Sequence, residues 1–282
     1  MTEANFNLLD NHIGYGSSNP KFIIMGLEEG VAGIENTSKK EDSDDVKNLK
    51  EKKNKTTIEA NYNQRTIILS RSRGNLLDLE KYHSKHPSPQ ERKWFIGRGK
   101  PQRTWQWYCK LLVGLKNNGV WENDKLLDYQ LKNLGRENSD HAILEFFPLP
   151  RPKNGDWYNC MNIPSMEITG KKNYLRRMIT KNRSSLLNDI IKKGCVEIII
   201  IHGSLEKNKL KSSHKKIADH FKLTESKEHQ IGQKNNGNIY ALEYYVMNGN
   251  ERENLKIFFT PFLGNGAITD EALKNLIGII NQ

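Results

Sequence analysis

Gly26-Leu27-Glu28-Glu29-Gly30-Val31-Ala32-Gly33 is the first stretch of this sequence with the make-up of a reactive site, and it follows the apolar run Lys21–Met25 directly. Glycines on both sides of a carboxylate allow a tight turn at a strand end. Such a turn aims Glu28 outward and leaves backbone N–H groups to an anion or a carbonyl oxygen. A carboxylate placed there can orient or deprotonate water and oppose positive charge on a reacting carbon. The stretch lacks G-x-G-x-x-G and has no following Gly-Lys-Ser/Thr, so it is neither a dinucleotide fingerprint nor a P-loop. A surface turn with solvated glutamates has the same composition.

Three more segments stand after apolar runs: Pro148-Leu149-Pro150-Arg151-Pro152-Lys153, His202-Gly203, and Thr260-Pro261-Phe262-Leu263-Gly264-Asn265-Gly266. His202 ends a buried strand, where a core or hinge histidine is as common as a catalytic one. Phe262 and Leu263, an apolar pair on a glycine-bounded loop, suit a wedge. His83 and His86 lie three apart without a third ligand, so no metal site is expected. Cys109, Cys160 and Cys195 are widely spaced and form no C-x-x-C, which fits buried thiols in a reducing cytoplasm. No cofactor is implied.

Elements must hold these residues in place. Lys21–Met25 reads as a short buried strand, His141–Phe147 as a second ended by the proline-rich stretch, and Cys195–Ile201 as a central parallel strand. Ile239–Met247 and Leu255–Thr260 read as two strands joined by an Asn248-Gly249-Asn250 turn. Trp105, Tyr108, Leu111, Leu112 and Leu115 recur at helical spacing, and helices are further expected over Leu175–Lys193, Lys216–Phe221 and Ala272–Ile280. The alternation predicts an α/β fold, a three-layer α/β/α sandwich around a mainly parallel central sheet, with residues 1–282 in one domain. In such folds ligands bind beyond the carboxyl ends of the strands. Residues 36–57, rich in mixed charge, are expected to be a solvated insert or mobile loop, the start of a charged insert at about 36–93.

A chain of 282 residues with 36% hydrophobic content can fill a core, and a net charge of +11 favours an anionic partner, nucleic acid first. Lys153, Lys171, Lys172, Arg176 and Arg177 are candidates for phosphate contacts, although solvated helix faces look alike. No apolar run reaches the roughly 20 residues that span a bilayer, and no basic stretch followed by an apolar one opens the sequence. A cytoplasmic protein with no membrane partner and no obligate protein partner is expected.

The order of these motifs resembles the uracil-DNA glycosylase superfamily across residues 21–282. Gly26-Leu27-Glu28-Glu29-Gly30 is similar to the family's G-E-A-P-G, G-Q-D-P-Y and G-I-N-P-G, with Glu28 at the position that handles the attacking water and Glu29 in place of proline. Trp94-Phe95-Ile96-Gly97-Arg98 resembles P-F-V-G-R, whose Phe stacks on the extruded base. Ile143–Pro152 resembles I-T-N-x-x-x-x-R-P-P, with Glu145 at the Asn that reads the uracil edge. His202-Gly203 ends a strand like V-x-A-L-G. Lys256–Gly266 resembles the strand and P-T-Y-H-P-A loop that enters the minor groove, without its histidine: Thr260 or Phe262 stands near that place. His86-Pro87-Ser88-Pro89 reproduces H-P-S-P but too early in the chain.

The resemblance implies a DNA partner and hydrolysis of an N-glycosidic bond. Glu28 and His202 would be catalytic, Gly26, Leu27, Phe95 and Glu145 would hold the base, and Arg151, Lys153 and Pro261–Asn265 would contact DNA. A carboxylate at Glu145 accepts only, which suits a cytosine-type exocyclic amine rather than uracil; a structural partner of an arginine is the other role open to it. Similarity to anti-phage glycosylases that remove glucosylated hydroxymethylcytosine follows from that choice, with the insert as a possible sugar pocket. A nucleic-acid-binding protein of the same fold without chemistry, and a uracil-type repair glycosylase, are the alternatives.

Overall fold

The computed structural model describes residues 2–26, 43–72, 74–86, 89–147, 149, 161–170, 172–174, 177, 182–193, 195–206, 209–234, 237–246, 255–263 and 267–282. Short β-branched runs form the centre: β2 (Phe22–Gly26), β4 (His141–Glu145), β5 (Ile198–Ile201) and β10 (Lys256–Phe259). They pair in parallel in the order β4-β2-β5-β10. β1 (Gly14–Gly16) runs antiparallel to β4 and carries β3 (Leu76–Leu77) at one edge, while β9 (Gly237–Val246) and β8 (Leu223–Lys234) add an antiparallel hairpin at the other. The result is an eight-stranded, mainly parallel sheet in a mixed α/β fold. A separate two-stranded ribbon joins β6 (Leu205–Glu206) to β7 (Lys209–Leu210).

Alternate residues of the central strands enter two apolar clusters, as the two-residue period of a strand requires. Ile23, Met25, Leu144, Ile199, Ile201, Ile257 and Phe259 join the first, with Phe6 and Leu9 of α1 (Glu3–Asn11), Ile58, Tyr62 and Leu69 of α2 (Asp44–Ser70), Leu187 of α7 (Asn182–Lys193) and Ile217 of α8 (Ser212–His220). Ile24, Ile143, Ile198, Ile200 and Phe258 join the second. There they meet Leu79 and Tyr82 of α3 (Leu79–Ser84), Tyr108, Leu111 and Leu112 of α5 (Arg103–Lys116), Leu126 of α6 (Leu126–Lys132), and Leu273, Leu276 and Ile277 of α9 (Asp270–Ile280). A one-turn α4 (Pro89–Arg92) links α3 to α5.

Two expectations are corrected. Residues 44–57 are not a loop, because they form the first half of α2, capped by Ser43 accepting from the Val46 N–H and opened by Asp44 and Asp45. Asn54, Ile58, Tyr62, Arg65 and Leu69 recur at three- and four-residue steps and are buried, so a window stopping at residue 57 sees only the helix's charged part. Within the stretch 36–93, β3 joins one edge of the sheet, and Leu79 and Tyr82 of α3 enter the second cluster. Of the two described cysteines, Cys195 is exposed and Cys109 is buried, where burial pushes its thiol pKa up; Cys160 lies outside the described residues.

Candidate active site

The chain passes from β2 to β4 on one side and then to β5 and β10 on the other, so the strand order reverses between β2 and β5. Parallel sheets leave a crevice beyond the carboxyl ends at such a reversal. Gly26 ends β2, Glu145 ends β4, His202 follows β5 and Thr260 follows β10. Three of the sequence-derived positions, Gly26, Glu145 and His202, thus meet on adjacent strand ends.

Gly26 and Glu145 are register partners, and the Phe146 N–H donates to the Gly26 carbonyl at 3.0 Å. The Glu145 N–H donates to the Ile13 carbonyl at 2.9 Å, so the residue is pinned from both neighbours. Its half-buried carboxylate lies over the glycine: a Cβ on residue 26 would stand 2.8 Å from Glu145 Oε2. A methyl group there would push the carboxylate aside.

His202 hangs from β2 through its own N–H, which donates to the Met25 carbonyl at 3.1 Å. It is 5% exposed, its Nε2 is 2.7 Å from the Tyr108 hydroxyl, and its buried Nδ1 has no hydrogen-bond partner among the described residues. Burial pulls its pKa down to about 4, so the imidazole is neutral at physiological pH. The ring lies 5.3 Å from those of both Tyr108 and Phe262. Ser204 fixes the turn that follows: its hydroxyl donates to the carbonyls of Ile201 at 3.0 Å and Thr260 at 2.9 Å. Lys211 Nζ donates to the Gly203 carbonyl at 2.7 Å. His214, fully buried nearby, is held at a pKa of about 3 by burial, with Lys211 and His202 pushing the same way.

The other expected positions fall differently. Phe95 is 9% exposed and stacks on His83 at 5.8 Å and against Trp105 at 5.5 Å, so its ring is walled in the second cluster; Trp105 lies one turn before Tyr108 on α5. Leu263 is fully buried in that cluster and anchors its loop instead of tipping it, while Pro261 and Phe262 are half-buried. Thr260 is buried, its hydroxyl bonded to the Pro261 carbonyl at 3.1 Å. Leu27, Glu28, Arg151, Lys153, Gly264 and Asn265 lie outside the described residues.

Tyr108, Ser204, Lys211 and His214 were not singled out from sequence. Tyr108 sits on the apolar stripe of α5, and only its hydroxyl signalled a role, since a buried phenol needs a partner. Among the described residues no cluster of three or more His, Cys, Asp or Glu could hold a metal ion, and no helix is long and apolar enough to cross a membrane. No protein-family model, curated protein or solved structure matches the chain.

Proposed function

We propose that this chain is a monofunctional DNA glycosylase, a three-layer α/β/α member of the uracil-DNA glycosylase type that excises a flipped, modified cytosine-type base and leaves an abasic site. The observation that carries the reading is the placement of the Glu145 carboxylate, laid over Gly26, and of the neutral His202 imidazole on the two strand ends that flank β2, where the strand order reverses. The two apolar clusters on alternate strand residues support the three layers.

A base taken out of the stack must be read along its hydrogen-bonding edge. Glu145 accepts from the N4 amine of a cytosine and repels the O4 acceptor of uracil. His202 takes over the work of the imidazole missing from the loop after β10: it reaches the same neighbourhood from the end of β5, against Phe262. Where the Tyr108 hydroxyl donates to Nε2, the proton sits on Nδ1, which can donate to the base carbonyl as negative charge develops there. Being neutral, it does so without meeting the cationic sugar with like charge. Glu28 orients the water and takes its proton. Oxygen bonds to C1′, the C1′–N bond breaks, and its electron pair leaves with the base, which is then protonated. Gly26 at the end of β2 and Leu27 after it would hold the base, and Arg151, Lys153, Pro261 and Phe262 would meet the DNA.

Single-turnover base release tests this. Glu28→Gln and Glu145→Ala should each lower the rate by roughly 10²-fold with duplex affinity nearly kept. Tight DNA binding by wild type with no base released from any modified DNA would leave a binding protein of this fold and overturn the enzymatic reading.

A further inference from the structure

We infer that the loop between α4 and α5 is a second DNA contact, in which Ile96 enters the base stack of a duplex while Arg98, Lys100 and Arg103 hold the flanking phosphates. The inference rests on the proposal that the protein acts on DNA and names the surface by which it grips the duplex. Ile96 is 52% exposed, and what sets it apart from other exposed aliphatic residues such as Leu49 and Ile67 is the charge around it. Around it, residues 92–103 carry five cations, Arg92, Lys93, Arg98, Lys100 and Arg103, and no carboxylate. Arg98, Lys100 and Arg103 are exposed and make no ion pair among the described residues. An exposed apolar residue followed closely in the chain by the unneutralised Arg98, Lys100 and Arg103 is complementary to a stacked, polyanionic duplex.

The loop is built rather than left loose. Gln130 is fully buried and clamps its base: Nε2 donates to the carbonyl of Lys100 at 2.9 Å, and Oε1 accepts from the Gln102 N–H at 3.1 Å and from Gln106 Nε2 at 2.8 Å. The Ile96 N–H donates to the Arg92 carbonyl at 3.0 Å, and the chain then turns through Gly97 at φ +69° and Gly99 at φ +64°, a region that favours glycine. Phe95 next to the tip is locked against His83 and Trp105. A clamped loop loses little freedom on binding, which is the condition for a wedge. Leu263, the apolar residue expected to do this from the loop after β10, is buried in the core.

The test is fluorescence anisotropy of the full chain with a labelled duplex and the matching single strand over a salt series, beside 2-aminopurine emission as a report of unstacking. The triple variant Arg98→Ser, Lys100→Ser, Arg103→Ser should flatten the slope of log K against log salt by about 2 to 3. Ile96→Ala should weaken duplex binding roughly tenfold, remove the 2-aminopurine signal and leave single-strand binding nearly unchanged. Both changes are on the surface, and unchanged melting temperatures would exclude unfolding as the cause. An unaltered salt slope in the triple variant, equal losses on both strands for Ile96→Ala, or wild type held by phosphatidylserine vesicles but not by DNA overturns the inference. Loop-dependent DNA binding without base release would refute the glycosylase reading alone. Normal base release by both variants with unchanged binding would refute the loop alone.

Discussion

His202 concentrates the energetic consequences of the site in one side chain. The native state holds it neutral with a pKa of about 4, whereas in the unfolded chain it titrates near 6.5. Between those values the unfolded state binds a proton that the native state excludes, so stability is fully present above pH 6.5 and is lost as pH falls toward 4. The loss from this group is roughly 3 kcal/mol, and His214 adds to it in the same direction. Denaturant melts of wild type and His202→Asn across that range should show the smaller pH dependence in the variant; identical curves would remove His202 as the source. The same depressed pKa leaves the imidazole neutral from pH 5 upward, so base release should show no acid limb from His202 there. Gly26→Ala should cost little stability, because the colliding atom is the end of the Glu145 side chain, yet should lower base release by about 10²-fold through misplacement of that carboxylate. Unchanged release in Gly26→Ala would show that the carboxylate does not read the base. Gly26 and His202 are legible in the sequence because each follows an apolar run, and parallel strands bring such ends together; Glu145, inside the run His141–Phe147, stands out only through the resemblance to I-T-N-x-x-x-x-R-P-P. Tyr108 was not, since a helical period marks a core face without saying which strand end its hydroxyl will meet.

At the level of elements, α2 decides whether the charged stretch is decoration or wall. Its buried stripe starts at Asn54 and runs through Ile58 and Tyr62, so replacing residues 44–52 by a Gly/Ser linker should move the melting temperature little, whereas Ile58→Ala should cost about 2 to 5 kcal/mol. Denaturation of the two variants separates the halves; equal losses would mean that the charged turns also dock. The helix was missed because lysines outnumber apolar residues over its first turns, and the pattern that fixes it lies beyond them. β8 was missed for a related reason: its sequence, LTESKEHQIGQK, has no apolar alternation, and pairing with β9 defines it as an edge strand. The central strands were read correctly as strands since buried parallel strands are near-continuous β-branched runs. The bounds of β4 shrank to Glu145 at the proline-rich segment.

For the whole molecule, a mixed α/β fold with a mainly parallel sheet followed from the alternation of elements, but the strand order β4-β2-β5-β10 is a property of pairing that no local pattern carries. That order puts Glu145 and His202 on either side of Gly26, the arrangement on which the proposed reading of a base rests. The net charge of +11 favours encounters with anions in general and carries no information about what is done to them. The most direct measurement is mass spectrometry of free bases, with a count of abasic sites, after wild type and Glu145→Asn meet duplexes carrying cytosine, hydroxymethylcytosine, glucosylated hydroxymethylcytosine or uracil. Wild type should release a modified cytosine and leave uracil and plain cytosine in place, and Glu145→Asn should lose that activity as its preference moves toward uracil. Ready release of uracil by wild type, or a base preference unaltered in Glu145→Asn, would contradict the proposed reading.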